Sequence, residues 1–120
     1  MSIRRVVPDI KSKYMDESKA FYVDFLGLTL AMDMGSIMTF VSPGNATAQI
    51  SVMHDDGASA LLPDVSVEVA DVDTVYARAI ERHLEIAYPL TDEPWGVRRF
   101  FVLDPNGTVL NIMSHVPSKS

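Results

Sequence analysis

Cysteine is missing from this 120-residue chain. Its absence removes disulfides, zinc–thiolate sites and thiol nucleophiles from consideration. Long apolar runs are missing too. The longest are a few residues, against the roughly 20 that a membrane-spanning helix needs. Met1-Ser2-Ile3-Arg4-Arg5 leads into no apolar stretch, so no secretory signal is expected. Positive charge is scarce: 10 Lys and Arg stand against 16 Asp and Glu, a net charge of −6. Such a surface suits neither nucleic acid nor an anionic membrane, and no partner of either kind is expected. There is no glycine-rich phosphate loop, no Ser–His–acid or Cys–His spacing and no low-complexity tract. What is present, 48% hydrophobic and 22% charged residues, is ordinary globular composition. The expectation is one soluble, cytoplasmic domain over residues 1–120, large enough to bury roughly two-thirds of its unfolded surface.

An internal repeat organises the chain. Pro8-Asp9-Ile10 recurs as Pro63-Asp64-Val65, and the same offset of 55 (63 − 8) carries Asp16 onto Asp71, Phe21 onto Tyr76 and Phe25 onto Ile80. Each copy starts with a strand. Val65, Val67 and Val69 alternate with Ser66, Glu68 and Ala70, the period-two pattern of a half-buried sheet; Ile10, Ser12 and Tyr14 alternate more weakly with Asp9, Lys11 and Lys13. A helix follows in each. Asp16 and Glu17 suit the positive end of the first, Phe21, Tyr22, Phe25 and Leu26 form its expected buried stripe, and Gly27 stops it. Asp71 or Asp73 caps the second, which places Val72, Tyr76, Ala79 and Ile80 on one face. Strands are then expected at Leu28–Met32, Ile37–Val41 and Ala48–Met53, and again at Glu85–Tyr88, Arg98–Leu103 and Val109–His115. Asp104-Pro105-Asn106-Gly107 makes the last tight turn, and Asp55–Leu62 joins the halves. Each half reads βαβββ, with modules at about 4–56 and 60–116.

In this order of elements, Phe21-Tyr22 and Leu26-Gly27 in the first helix, together with Trp95-Gly96-Val97-Arg98-Arg99-Phe100 running into Asp104-Pro105-Asn106-Gly107, resemble the vicinal oxygen chelate superfamily. This group includes glyoxalase I, extradiol dioxygenases and bleomycin-resistance proteins. The resemblance covers about Arg4 to His115. It implies an α+β fold in which two βαβββ modules form a cupped mixed β-sheet with flanking helices, and a homodimer with clefts between modules. In metal-dependent members the ligands lie on the first and last strands of each module. Carried over, those positions fall on Asp9, Ser51, Asp64 and Asn111. They hold no histidine and only two carboxylates, a poor shell for a borderline divalent ion. A hard ion such as magnesium is the alternative cofactor. The resemblance is therefore to a metal-free branch that binds a small molecule in its cleft. A glyoxalase- or dioxygenase-like enzyme, using a divalent metal or an Asp9/Asp64 acid–base pair, is the alternative.

Like charges close together raise one pKa, which makes Asp9 and Asp64 the candidate acid–base pair; each also suits a solvated strand start after proline. Asn111 interrupts the apolar Val109-Leu110-Asn111-Ile112-Met113, where a buried amide needs partners: either a ligand or a cross-strand bond. Trp95, the only tryptophan, reads as a pocket wall or as a plug over the core. Arg98 and Arg99 point to opposite faces, so only one reaches the cleft; Arg98 joins Ser51, Asn111, Trp95, Lys13 and Met113 among the candidate ligand contacts. His83 suits a helix C-terminus. His54 has no spacing partner for a metal. His115 looks toward the cleft from the end of the last strand. Most of the seven methionines read as core filler, with Met32, Met34 and Met38 the candidates for an adaptable cleft lining.

Overall fold

A computed structural model describes residues 2–55, 57 and 61–116. Asp56 and residues 58–60 of the expected joint lie outside the described residues. The elements run β1 (Ile3–Ser12), α1 (Met15–Ala20), a π-helical turn (Phe21–Phe25), β2 (Thr29–Asp33), β3 (Ile37–Ser42) and β4 (Asn45–His54). Then come β5 (Val65–Val69), α2 (Val72–Glu81), β6 (Ile86–Glu93), β7 (Val97–Leu103) and β8 (Val109–His115). Both halves are βαβββ, and the fold is α+β.

The chain divides into two compact units, one of Val7–Leu62 and one of the residues up to Val6 together with those from Pro63 onward. The beginning of β1, expected with the first module, thus lies with the second. Two contacts hold it there. The Ser2 carbonyl accepts from the Ala70 N–H at 3.0 Å, and Arg5 pairs with Glu68 at 2.6 Å.

In the Val7–Leu62 unit the strands lie in the order β2-β3-β4-β1, with β1 and β4 parallel. Phe40, Met38 and Val52 are buried beneath Met15, Tyr22 and Val23 of the helical segment. Met38 is therefore core, whereas Met32 and Met34 are exposed. The expected stripe of Phe21, Tyr22, Phe25 and Leu26 does not form. Tyr22 packs on Phe40 with ring centroids 5.3 Å apart, but Phe25 is 75% exposed, and Phe21 and Leu26 are also outside. The cause is the π turn: Leu26 N–H bonds the Phe21 carbonyl five residues back, so each residue turns less about the axis and the α-helical stripe drifts off the core. Gly27, at φ +82°, ends the segment in a left-handed conformation.

In the other unit the order is β5-β8-β7-β6, with β5 and β8 parallel, the same pattern as in the first. Val69, Phe100, Val102 and Ile112 pack with Val72 and Ala79 of α2, and Tyr76 stacks edge-on against Phe100 at 4.9 Å. Asp71, not Asp73, is the cap; its carboxylate accepts from the Asp73 and Thr74 N–H groups and the Thr74 hydroxyl. Ile80, expected on the buried face, is half exposed. His83 lies just past the last turn with φ 54°.

Candidate functional site

Strand register places the candidate residues. In the Val7–Leu62 unit Asp9 sits directly beside Ser51, and Ser51 opposite Thr39, whose hydroxyl is 3.2 Å from that of Ser51. Asp9 and Ser51 are buried, while Ile10, expected to be buried, is 37% exposed. In the second unit the residue that stands beside Asn111 is Ser66, not Asp64. The offset through the first strand and helix is thus 57 (66 − 9 for the strand, 72 − 15 for the helix start) rather than 55. The shared Pro-Asp pairs mislead because they do different work. Asp9 lies inside a strand. Asp64 precedes one, and its carboxylate accepts from the Val109 N–H at 2.9 Å while its own N–H bonds the Val109 carbonyl at 2.8 Å. Asp64 therefore ties β5 to β8, and its carboxylate oxygen is engaged by the backbone.

The face of this second unit opposite α2 carries the densest chemistry. Asn111 is 5% exposed; its Nδ2 donates to the Ser66 hydroxyl at 3.1 Å, and its Oδ1 has no partner among the described residues. A buried amide carbonyl without a partner costs about 1–3 kcal/mol, so it marks a place where a donor is wanted. Phe101 lies directly across from Asn111, and Tyr88 stacks on Phe101 at 5.0 Å. Met113, two residues along β8, is buried beside Arg99. The Arg99 guanidinium lies over the rings of Tyr88, Trp95 and Phe101 at 5.5, 5.2 and 4.9 Å and pairs with Glu93 at 2.7 Å. Further along the same face Glu68 receives both Arg5 and His115. Burial alone would push the Glu68 carboxyl up, but its bonds from His115 and Arg5 outweigh that and hold it below the usual range.

Arg98 belongs to the other face. It pairs with Asp73 of α2 at 2.9 Å and with Asp92 at 3.1 Å, so Arg99 is the arginine that shares a face with Asn111. Lys13 is exposed past the end of β1. Asn111, Met113 and Trp95 are brought to one face of the second unit, and within the Val7–Leu62 unit Asp9 and Ser51 stand side by side. Sequence reasoning missed Ser66, Phe101, Tyr88 and Glu68. The available signal was the Val-Ser-Val-Glu-Val alternation, which sets Ser66 and Glu68 on the non-helix face; the Pro-Asp repeat drew attention to Asp64 instead.

The ligand positions of metal-dependent relatives do not fit a borderline divalent ion here. They hold one carboxylate and one hydroxyl in the Val7–Leu62 unit and a hydroxyl and an amide in the other, and neutral hydroxyl and amide oxygens bind such ions poorly. Among the described residues no group of three or more His, Asp or Glu is placed to hold a metal ion.

The model of the Glyoxalase/Bleomycin resistance protein/Dioxygenase superfamily matches residues 9–112, and the chain belongs to this superfamily. Among solved structures it is similar to a superfamily member from Vibrio splendidus 12B01, with TM-score 0.73 and 20% identity over 94% of this chain and 99% of that one. It is also similar to methylmalonyl-CoA epimerase from Mycobacterium tuberculosis, with TM-score 0.70 and 18% identity over 97% and 89%. The Mn(II)-bound glyoxalase from Novosphingobium aromaticivorans aligns with TM-score 0.65 and 19% identity, covering 99% of this chain and 42% of that one. At these identities the likeness shows the fold alone. No curated protein matches the chain in sequence.

Proposed function

We propose that this protein binds a small, flat, hydrogen-bond-donating molecule on the face of the second unit opposite α2, without a metal ion. The observation that carries the reading is the buried Asn111 Oδ1, which finds no donor among the described residues. The Ser66 hydroxyl beside it and the Phe101 and Tyr88 rings across from it supply what such sites use: a few placed polar groups on an aromatic wall. A single carboxylate among hydroxyl and amide oxygens, at the strand positions that the family resemblance gives to metal ligands, supports metal independence. The net charge of −6 favours a neutral or cationic ligand over nucleic acid or an anionic membrane. The proposal includes a homodimer in the cytoplasm, as the family resemblance and composition lead one to expect. Among the described residues no helix is long and apolar enough to cross a membrane.

Native mass spectrometry of the purified full chain tests this reading. A co-purified small molecule without stoichiometric metal is the expected result; stoichiometric metal overturns it. Asn111→Leu should lose the small molecule yet stay within about 1 kcal/mol of wild-type stability in urea unfolding, because the lost Ser66 bond is offset by removal of an unpartnered carbonyl. Marked destabilisation with retained ligand would make Asn111 a structural residue.

A further inference from the structure

His115 and Glu68 lie outside the ligand positions of the family resemblance, and neither is used in the binding reading above. His115 closes β8, with its side chain 52% exposed, whereas that of Glu68 is 13% exposed. The two meet at 2.8 Å between His115 Nδ1 and Glu68 Oε2. The other carboxylate oxygen of Glu68, Oε1, accepts from Arg5 Nε at 2.6 Å. The guanidinium thus fixes one oxygen and turns the other to the imidazole. An ionised carboxylate only accepts, so this contact puts the proton of the neutral ring on Nδ1 and leaves the lone pair on Nε2. Nε2 has no protein partner among the described residues. An imidazole oriented through one nitrogen by a carboxylate, with the other nitrogen open, is the arrangement of a positioned base.

The charged groups on this face are Arg5 from β1, Glu68 from β5, Arg99 from β7 and Glu93 from β6. Arg99 and Glu93 satisfy each other at 2.7 Å, and Arg5 bonds Glu68. Trp95 stands at the same end. Its turn is tied to the end of β8 by the Val116 N–H bond to the Gly96 carbonyl at 2.9 Å, Val97 lies directly across from His115, and the indole is half exposed. At about 3.3 Å per residue, His115 is some 13 Å along β8 from Asn111. The two ends of the face are separate.

We propose that His115 Nε2 is a proton-accepting site for a weakly acidic N–H or O–H group on a flat ligand held against Trp95. In the step the ligand's N–H or O–H bond breaks and its electron pair stays on that atom. The proton forms a new bond to Nε2, leaving an imidazolium paired with the ligand anion. Glu68 stabilises the imidazolium through Nδ1–H, and Arg5 offsets the Glu68 charge. Glu68 and Arg5 are positioning residues. The proposal shares a face with the binding reading but not its residues, and the first arm of its test needs no ligand.

Nitrogen-15 NMR of the labelled full chain reads the tautomer of the neutral ring, the His115 signals being identified by their loss in His115→Gln. The Nδ1–H form is expected; the Nε2–H form overturns the proposal. The second arm uses 4-nitrophenol, a chromogenic acid, about one pH unit below its free ionisation point. Wild type should raise the phenolate band at least fivefold over His115→Gln, and Trp95→Ala should weaken the binding. A band equal in His115→Gln, or no added band in wild type, overturns the proposal. Phe25→Ala, at a side chain 75% exposed in the other unit, should leave this band unchanged. Loss of the band in that variant too would mean that it does not come from His115, and would sink the proposal while leaving the binding reading standing.

Discussion

Ser114 is buried and works in two directions: its hydroxyl donates to the Val69 carbonyl at 2.8 Å and accepts from the Val72 N–H at 3.0 Å. It thereby serves the end of β5 and the first turn of α2 at once. Ser114→Ala should cost about 1–3 kcal/mol, because a buried N–H and a buried carbonyl each lose their partner; urea unfolding measures it. Asn111 is the opposite case on the same strand. Its amide is only half satisfied, so its removal should be nearly neutral for stability and harmful for binding. The contrast separates a residue kept for the fold from one that the proposed function assigns to a ligand. Both interrupt an apolar strand in the sequence, and nothing in their local pattern tells them apart. What distinguishes them is the partner that β5 brings to each.

At the scale of elements, the π turn after α1 decides which aromatic residues hold the first unit together. Tyr22 touches Phe40, whereas Phe25 is 75% exposed, with the Phe21 ring beside it at 5.1 Å. Tyr22→Ala should therefore cost about 3 kcal/mol, the usual loss for truncating a packed aromatic ring, while Phe25→Ala should stay within about 1 kcal/mol. Equal losses in thermal or chemical unfolding would mean that an α-helical stripe had formed after all. Helix existence was legible here from Asp16, Glu17 and Gly27, but helical phase was not. The choice between a bond four or five residues back depends on what the segment packs against. The same limit applies to the repeat. Alternating valines announced β5, yet the register of β5 against β8 follows from the Asp64–Val109 bonds, which join residues 45 positions apart.

Across the whole molecule, three carboxylates share a pH dependence. Burial pushes Glu68 up, but its bonds from His115 and Arg5 outweigh that; Asp71 is lowered by the Thr74 hydroxyl and N–H, and Asp104 by the Thr108 N–H. A group whose folded pKa lies below its unfolded value gives its full contribution above the unfolded value and loses it as pH falls through the folded one. With ordinary values of 4.5 for Glu and 3.8 for Asp, the melting temperature should begin to fall below about pH 4.5. Glu68→Gln should flatten the first part of that fall. A wild-type profile that holds its melting temperature well below pH 4 would contradict these assignments.

The sequence by itself determined the architecture. Valine alternation, acidic helix starts and Asp-Pro-Asn-Gly turn chemistry are local signals, each read within one or two turns of chain, and their order repeated twice is enough for the βαβββ plan and the superfamily. Only the tertiary structure decided which residues stand together in the candidate site. It set Ser66 rather than Asp64 beside Asn111, turned Arg99 rather than Arg98 to the Asn111 face, and joined His115, Glu68 and Arg5. The physical reason is that a side-chain period of two makes a shift of one residue reverse the face and a shift of two change every neighbour. Such shifts are controlled by hydrogen bonds between distant strands, and those bonds have no local signature in the chain.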